Sequence, residues 1–179
     1  MVAPLRLLAL VDAVRQRRVV VTSKSDWSSL KQFRFGDSPE LADRLAALVV
    51  VGVKTATCSA EVHGFEAEIG ERQVVLCGQG RPVAVIETLS LDVLHLDVVT
   101  PGQAACEGEG DLSYAYWFDA HKAYFQREGT YAPDMKVIFE KFRLVDVLDD
   151  GFAARAPEYL KVERAKALAA GYTALGADS

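Results

Sequence analysis

Between Asp37 and Gly52 the chain reads "DSPELADRLAALVVVG", and no other stretch restricts the fold as much. Asp37 or Ser38 can cap the free N–H groups of a helix. Pro39 suits the first turn, and Glu40 suits the positive end of the helix dipole. With Asp37 as the cap, Glu40 stands at the spacing of a capping box. Leu41, Leu45, Leu48 and Val49 recur at helical spacing, so one face is apolar. Gly52 can take the left-handed conformation that ends such a helix. The apolar face needs a partner, and strand-like segments follow. "RQVVLCG" and "RPVAVIETLSLDVLHLDVV" are rich in Val, Ile and Leu, with the turn "GQGRP" between them.

Further along, "TPGQAACEGEG" predicts a short helix or turn, capped by Thr100 and opened by Pro101. "DLSYAYWFDAHKAYFQREG" predicts a second long helix, capped by Asp111 and ended by Gly129. Leu112, Tyr116, Ala120, Ala123 and Tyr124 make one face of it. "DMKVIFEKFRLVDVL" predicts a closing strand, with Val137, Phe139, Lys141 and Arg143 opposite Ile138, Phe142 and Leu144. Residues 157–170 predict a tail helix. Residues 4–17 suggest an amphipathic helix, "RRVVV" a strand, and 22–32 a mobile polar loop. Helix, strands, helix and closing strand make an α+β order, without the βαβ alternation of a parallel sheet. A curled mixed sheet or small barrel suits it. The expected division is an N-terminal extension (1–26), a core domain (27–149) and a helical tail (150–179).

The net charge is −5. Nonspecific coating of polyanions needs many cations, so that function is excluded, while a local basic pocket is not. Cys58, Cys77 and Cys106 are far apart and form no CxxC, and His63, His95 and His121 are equally scattered. This argues against a disulfide framework or zinc knuckle; no metal and no cofactor are expected, and a reducing cytoplasm is. The segment "MVAPLRLLALVDAVRQRRVVV" is broken by Arg6 and Asp12, and its basic cluster follows the apolar part, unlike a signal peptide. No apolar run approaches the roughly 20 residues of a membrane span, so no membrane partner is expected.

No dinucleotide, Walker or zinc-protease motif is present. Lys54, two residues beyond the helix stop, has two readings. It is either a solvated lysine after a helix cap, or a partly buried amine able to act as a base. Glu107, Glu109 and Asp111 either favour a helix N-terminus or split their pKa values as acid and base. Arg34, Lys136, Lys141 and Arg143 could line a phosphate-binding face, and Phe35, Tyr116 and Trp117 could stack on a base. The plainer reading is core aromatics and a solvated strand face.

Three stretches taken together are more specific: "FRFGDSPELADRLAALVVVGVKTATCSA" (33–60), "AACEGEGDLSYAYWFDAHKAYF" (104–125) and "DMKVIFEKFRLVDV" (134–147). In this order they resemble the ASCH-domain family, above all its longer bacterial members. The signature G-x-K-x-x-T corresponds to Gly52, Lys54 and Thr57. The resemblance implies a PUA-like fold, a small mixed β-barrel surrounded by helices. It implies a role on RNA or a modified nucleoside, and two kinds of hydrolase: an N4-acetylcytidine amidohydrolase and a ribonuclease. The lysine, threonine and glutamate of the first kind fall on Lys54, Thr57 and Glu107, as catalytic residues. Arg34, Phe35, Asp37, Asp111, Ser113 and Trp117 are the expected substrate-binding residues. On this view burial lowers the Lys54 pKa, the amine activates Thr57 or a water, and Glu107 handles the leaving group's proton. The alternative is a noncatalytic module binding RNA or a nucleotide. The resemblance also leaves room for a homodimer. The segment before residue 27 and the tail after Asp149 depart from it.

Overall fold

A 3-10 turn over Trp27–Ser29 opens the described part of the computed structural model, residues 27–173. The helix expected over 4–17 and the strand at "RRVVV" lie outside the described residues. Part of the expected 22–32 loop is ordered instead: Lys31–Phe33 form strand β1, fixed by parallel pairing to a later strand. Helix α1 spans Pro39–Val50. Its cap is Ser38, not Asp37: Ser38 Oγ accepts a hydrogen bond from Leu41 N at 3.2 Å. Asp37 turns instead to Arg127 at 2.7 Å, where an ion pair is available. Gly52 sits at φ +80°, and Val53 N donates to Leu48 O at 3.0 Å. This closure satisfies the last carbonyls of α1 and redirects the chain just before Lys54.

Strands β2 (Ala56–Ala60), β3 (Arg72–Leu76) and β4 (Pro82–His95) follow, then helices α2 (Pro101–Cys106) and α3 (Tyr114–Glu128). Strand β5 (Lys136–Val147) and helix α4 (Asp150–Ala169) complete the described fold. The sheet order is β1-β3-β4-β5-β2, antiparallel except for β1 on β3, so the α+β class with a mixed sheet holds. The sheet does not close into a barrel; β1 and β2 are its two edges. Lys31 and Phe33 on one edge and Thr57 to Ala60 on the other line the same cavity.

Two apolar clusters hold the layers together. One joins α1, the sheet and α4 through Leu45, Leu48, Val75, Ile86, Phe142, Phe152 and Ala156. The other joins β2 and β5 to α2 and α3 through Cys58, Phe139, Ala104, Trp117 and Phe125. Helix α3 starts from Ser113, whose Oγ accepts from Tyr116 N at 3.1 Å, rather than from Asp111. Its buried residues are Trp117, His121 and Phe125, a stripe at intervals of four. Of the expected face, Tyr116, Ala120, Ala123 and Tyr124 line the cavity, and Leu112 is exposed. Lys136, Lys141 and Arg143 are solvated, as a strand-face reading requires, and Arg143 pairs with Glu87 at 2.8 Å. Helix α4 starts seven residues before the expected 157, because Asp149 caps it through Phe152 N at 2.8 Å and burial of Phe152 and Ala156 carries it past Pro157. No described helix is long and apolar enough to cross a membrane.

Candidate active site

The turn at Gly52 delivers Lys54 into the interior rather than to solvent. Thr55 fixes what comes next: its N–H donates to Cys106 O at 2.8 Å, at the end of α2. The segment before β2 is thereby strapped to the loop that carries Glu107. Gly108 completes the approach, with φ +75° and its Cα so close to Val53 that an added Cβ would lie 2.6 Å from the Val53 carbonyl oxygen. A side chain there would push the two segments apart.

Lys54 is 2% exposed, and its Nζ donates to Glu107 Oε2 and to Glu109 Oε1, each at 3.0 Å. The ring of Phe35 lies 5.4 Å from the same nitrogen. Glu107 is saturated on its other oxygen: Trp117 Nε1 donates to Oε1 at 2.8 Å, and His121 Nε2 lies 3.3 Å away. His121 Nδ1 meets Trp117 O at 2.9 Å. As an imidazolium His121 donates on both sides, and two cations then balance two carboxylates.

Burial alone would strip the proton from Lys54, but Glu107 and Glu109 outweigh it and its pKa rises above the ordinary value. This corrects the expectation of a lowered lysine pKa: the expected desolvation exists, and the two carboxylates exceed it. Burial would likewise raise Glu107, but Lys54 and then His121 hold it well below the usual carboxylate range. For His121 burial acts downward, and Glu107 lifts the pKa above 6.5. Burial, then the nearby Glu107 charge, push the Cys58 thiol up, which keeps it a poor nucleophile.

A cavity of about 770 Å³ opens beside this cluster. Lys54, Thr57 and Glu107 all line it, together with Arg34, Phe35 and Asp37. Asp111, Ser113 and Trp117 do not line it: Asp111 Oδ1 accepts from Ser113 N, Ser113 caps α3, and Trp117 braces Glu107 from behind. Sequence reasoning weighed Glu109 as an acid or base and Tyr116 as a stacking ring, and gave no role to His121 or Glu140. The E-G-E spacing pointed to Glu109, and the interval of four from Trp117 pointed to His121. Glu107, Glu109 and His121 present donor atoms within 4.8 Å of one another, a set with metal-binding chemistry. The Lys54 ammonium already bridges both carboxylates, so a divalent ion there would meet like charge at close range.

The ASCH-domain family model matches residues 31–146. The chain belongs to the ASCH-domain family. A solved ASCH domain from Lactobacillus crispatus JV V101 is 33% identical, with a TM-score of 0.61, and the match covers 66% of this chain and 80% of that one. A protein from Enterococcus faecalis V583 is 30% identical, with a TM-score of 0.58, covering 66% of this chain and 82% of that one. No curated protein matches. In this ASCH protein α4 begins after residue 146, so the helix lies beyond the matched span while sharing the core of α1.

Proposed function

We propose that this ASCH protein hydrolyses an acyl amide on a modified nucleoside, with N4-acetylcytidine as the type substrate. The observation that supports this most is a fully buried ammonium, fixed by two carboxylates, on the wall of a cavity with ample room for a nucleoside that also carries Thr57. Thr57 Oγ attacks the acyl carbon, and its proton passes to Glu109, whose side chain is 11% exposed against 1% for Glu107. The fixed Lys54 ammonium balances the oxyanion of the tetrahedral intermediate. The C–N bond then breaks, the leaving nitrogen takes the proton held by Glu109, and water hydrolyses the acyl-threonine to a carboxylic acid. Glu107, with both oxygens engaged, holds Lys54 in place rather than exchanging protons.

Release of cytidine and acetate from N4-acetylcytidine tests this. Thr57→Val and Lys54→Met are expected to lower kcat/KM by about 10²-fold or more, the usual scale for loss of a nucleophile or oxyanion partner. Equal rates in all three proteins, or no turnover by the wild type, would overturn it. A noncatalytic nucleoside binder is the second reading, favoured by a lysine that stays charged. It is distinguished by a wild type that shows no turnover together with full ligand affinity in both the wild type and Thr57→Val.

A further inference from the structure

Glu140 is a carboxylate in the cavity wall that the mechanism leaves unused. It lies on β5 directly across the ladder from Thr57 on β2. Cross-strand partners share a face, with Cβ atoms about 5 Å apart. Its other neighbour across the sheet is Leu91 on β4, which also lines the cavity. The carboxyl is held in place: Thr88 Oγ1 donates to Glu140 Oε1 at 2.6 Å.

We propose that Glu140 recognises the base, taking the amidine edge of a cytosine-type ring, meaning the ring nitrogen and the adjacent exocyclic N–H. This deepens the hydrolase reading and rests on it for the position of the scissile bond. The chemistry fits the spacing. In an N4-acylated cytosine the acyl carbon is bonded to N4, and N3 is bonded to the carbon that bears N4. A base with its acyl carbon at Thr57 therefore presents its amidine edge to the neighbouring strand position. A neutral carboxyl offers one donor and one acceptor, which complements a ring nitrogen acceptor beside an N–H donor. Burial favours the neutral form of Glu140, the Thr88 hydrogen bond opposes it, and among nearby charges Glu71 and Glu66 favour it while Lys31 opposes it; the sum raises its pKa. Leu91 and Ile138 flank it on the same wall as apolar surface for a ring.

The test compares N4-acetylcytidine with its 3-deaza analogue, which keeps the amide and lacks the ring nitrogen. Wild-type protein should favour the parent by about 30-fold in kcat/KM, the scale of one buried hydrogen bond. Glu140→Gln keeps a donor and an acceptor and should retain most of that discrimination. Glu140→Leu should turn over both compounds at similar reduced rates. Thermal melting of each variant separates this from loss of fold, and discrimination is a ratio that general destabilisation does not move. Equal wild-type rates on the two compounds, or discrimination surviving in Glu140→Leu, overturns the assignment. Should the wild type turn over neither compound, the hydrolase reading fails, and calorimetric binding of cytidine against 3-deazacytidine decides Glu140 by itself. Weaker binding of the deaza compound, abolished in Glu140→Leu, supports it; equal binding, or none, overturns it.

Discussion

At the residue scale, Lys54, Glu107 and His121, all buried, and the partly exposed Glu109 behave as one charge-balanced unit. Removing one partner leaves an uncompensated charge without water. Lys54→Met is therefore expected to cost about 3–5 kcal/mol of stability, read from urea unfolding, as when a buried ion pair is broken from one side. A loss near zero would show that the carboxylates reach solvent. His121 gives the unit a pH signature. Its folded pKa is raised by Glu107, so the stability it adds is complete below 6.5 and fades as pH climbs through the folded value. Glu107 has the opposite sign: its pKa is depressed, so its contribution is complete above the ordinary 4.5 and fades as pH falls through the folded value. Wild-type stability should thus decline relative to His121→Gln as pH rises above 6.5. Parallel pH curves for the two proteins would exclude an imidazolium at this position.

At the element scale, helix α4 is part of the site although it lies beyond the matched span. Glu163 is fully buried, pairs with Arg44 of α1 at 2.8 Å, and accepts from Gly110 N at 3.1 Å and from Tyr116 Oη at 3.0 Å. Its neighbour Arg164 donates to Gly108 O at 3.0 Å and also to Gly110 O. Two adjacent residues of α4 thus grip the loop that presents Glu107 and Glu109. Glu163→Gln should destabilise the protein by about 1–3 kcal/mol, the cost of disturbing a buried charged hydrogen-bond centre. It should also speed hydrogen exchange at Gly108 and Gly110 above that of β4. Unchanged exchange in that loop would mean that α4 only covers the core. None of this was legible in the sequence, because Glu163 reads as one more charge in a charged helix. What was legible had local causes: the stop at Gly52, the Thr100 cap, the end of α3 at Gly129. What was missed depended on distant partners. The choice between the two caps that the sequence allowed was of this kind: Asp37 pairs with Arg127, ninety residues away, and Ser38 caps α1. The face of Tyr116, Ala120, Ala123 and Tyr124 was visible, but not that it lines a cavity, which, unlike a core, also takes alanine and tyrosine.

At the scale of the whole molecule, the question is whether a chain of net charge −5 could hold a long RNA in this cavity. Many cations near it are already committed. Lys54 is tied to two glutamates, Arg44 to Glu163, and Arg127 to Asp37. On the outer sheet face, Arg72 and Arg143 share Glu87. Among the described residues, Arg34 and Lys31 are the cavity-lining cations whose hydrogen bonds go to backbone carbonyls, Gly78 O and Glu66 O. Two such groups can meet one or two phosphates, whereas a strand crossing the surface needs more. A single strand neutralised at four phosphates loses about 50-fold in affinity between 50 and 200 mM salt, from a slope of roughly −0.7 per contact. A nucleoside held by shape, stacking and hydrogen bonds is expected to change by less than about twofold over that range. Titration of N4-acetylcytidine into the Thr57→Val protein at the two salt concentrations makes the comparison without turnover. A steep salt dependence for an uncharged nucleoside would mean that binding requires release of ions from the paired cations around the cavity. A steep dependence for an oligonucleotide, with tighter binding than the nucleoside, would move the functional surface from this cavity to the exposed cations of β5, Lys136 and Lys141.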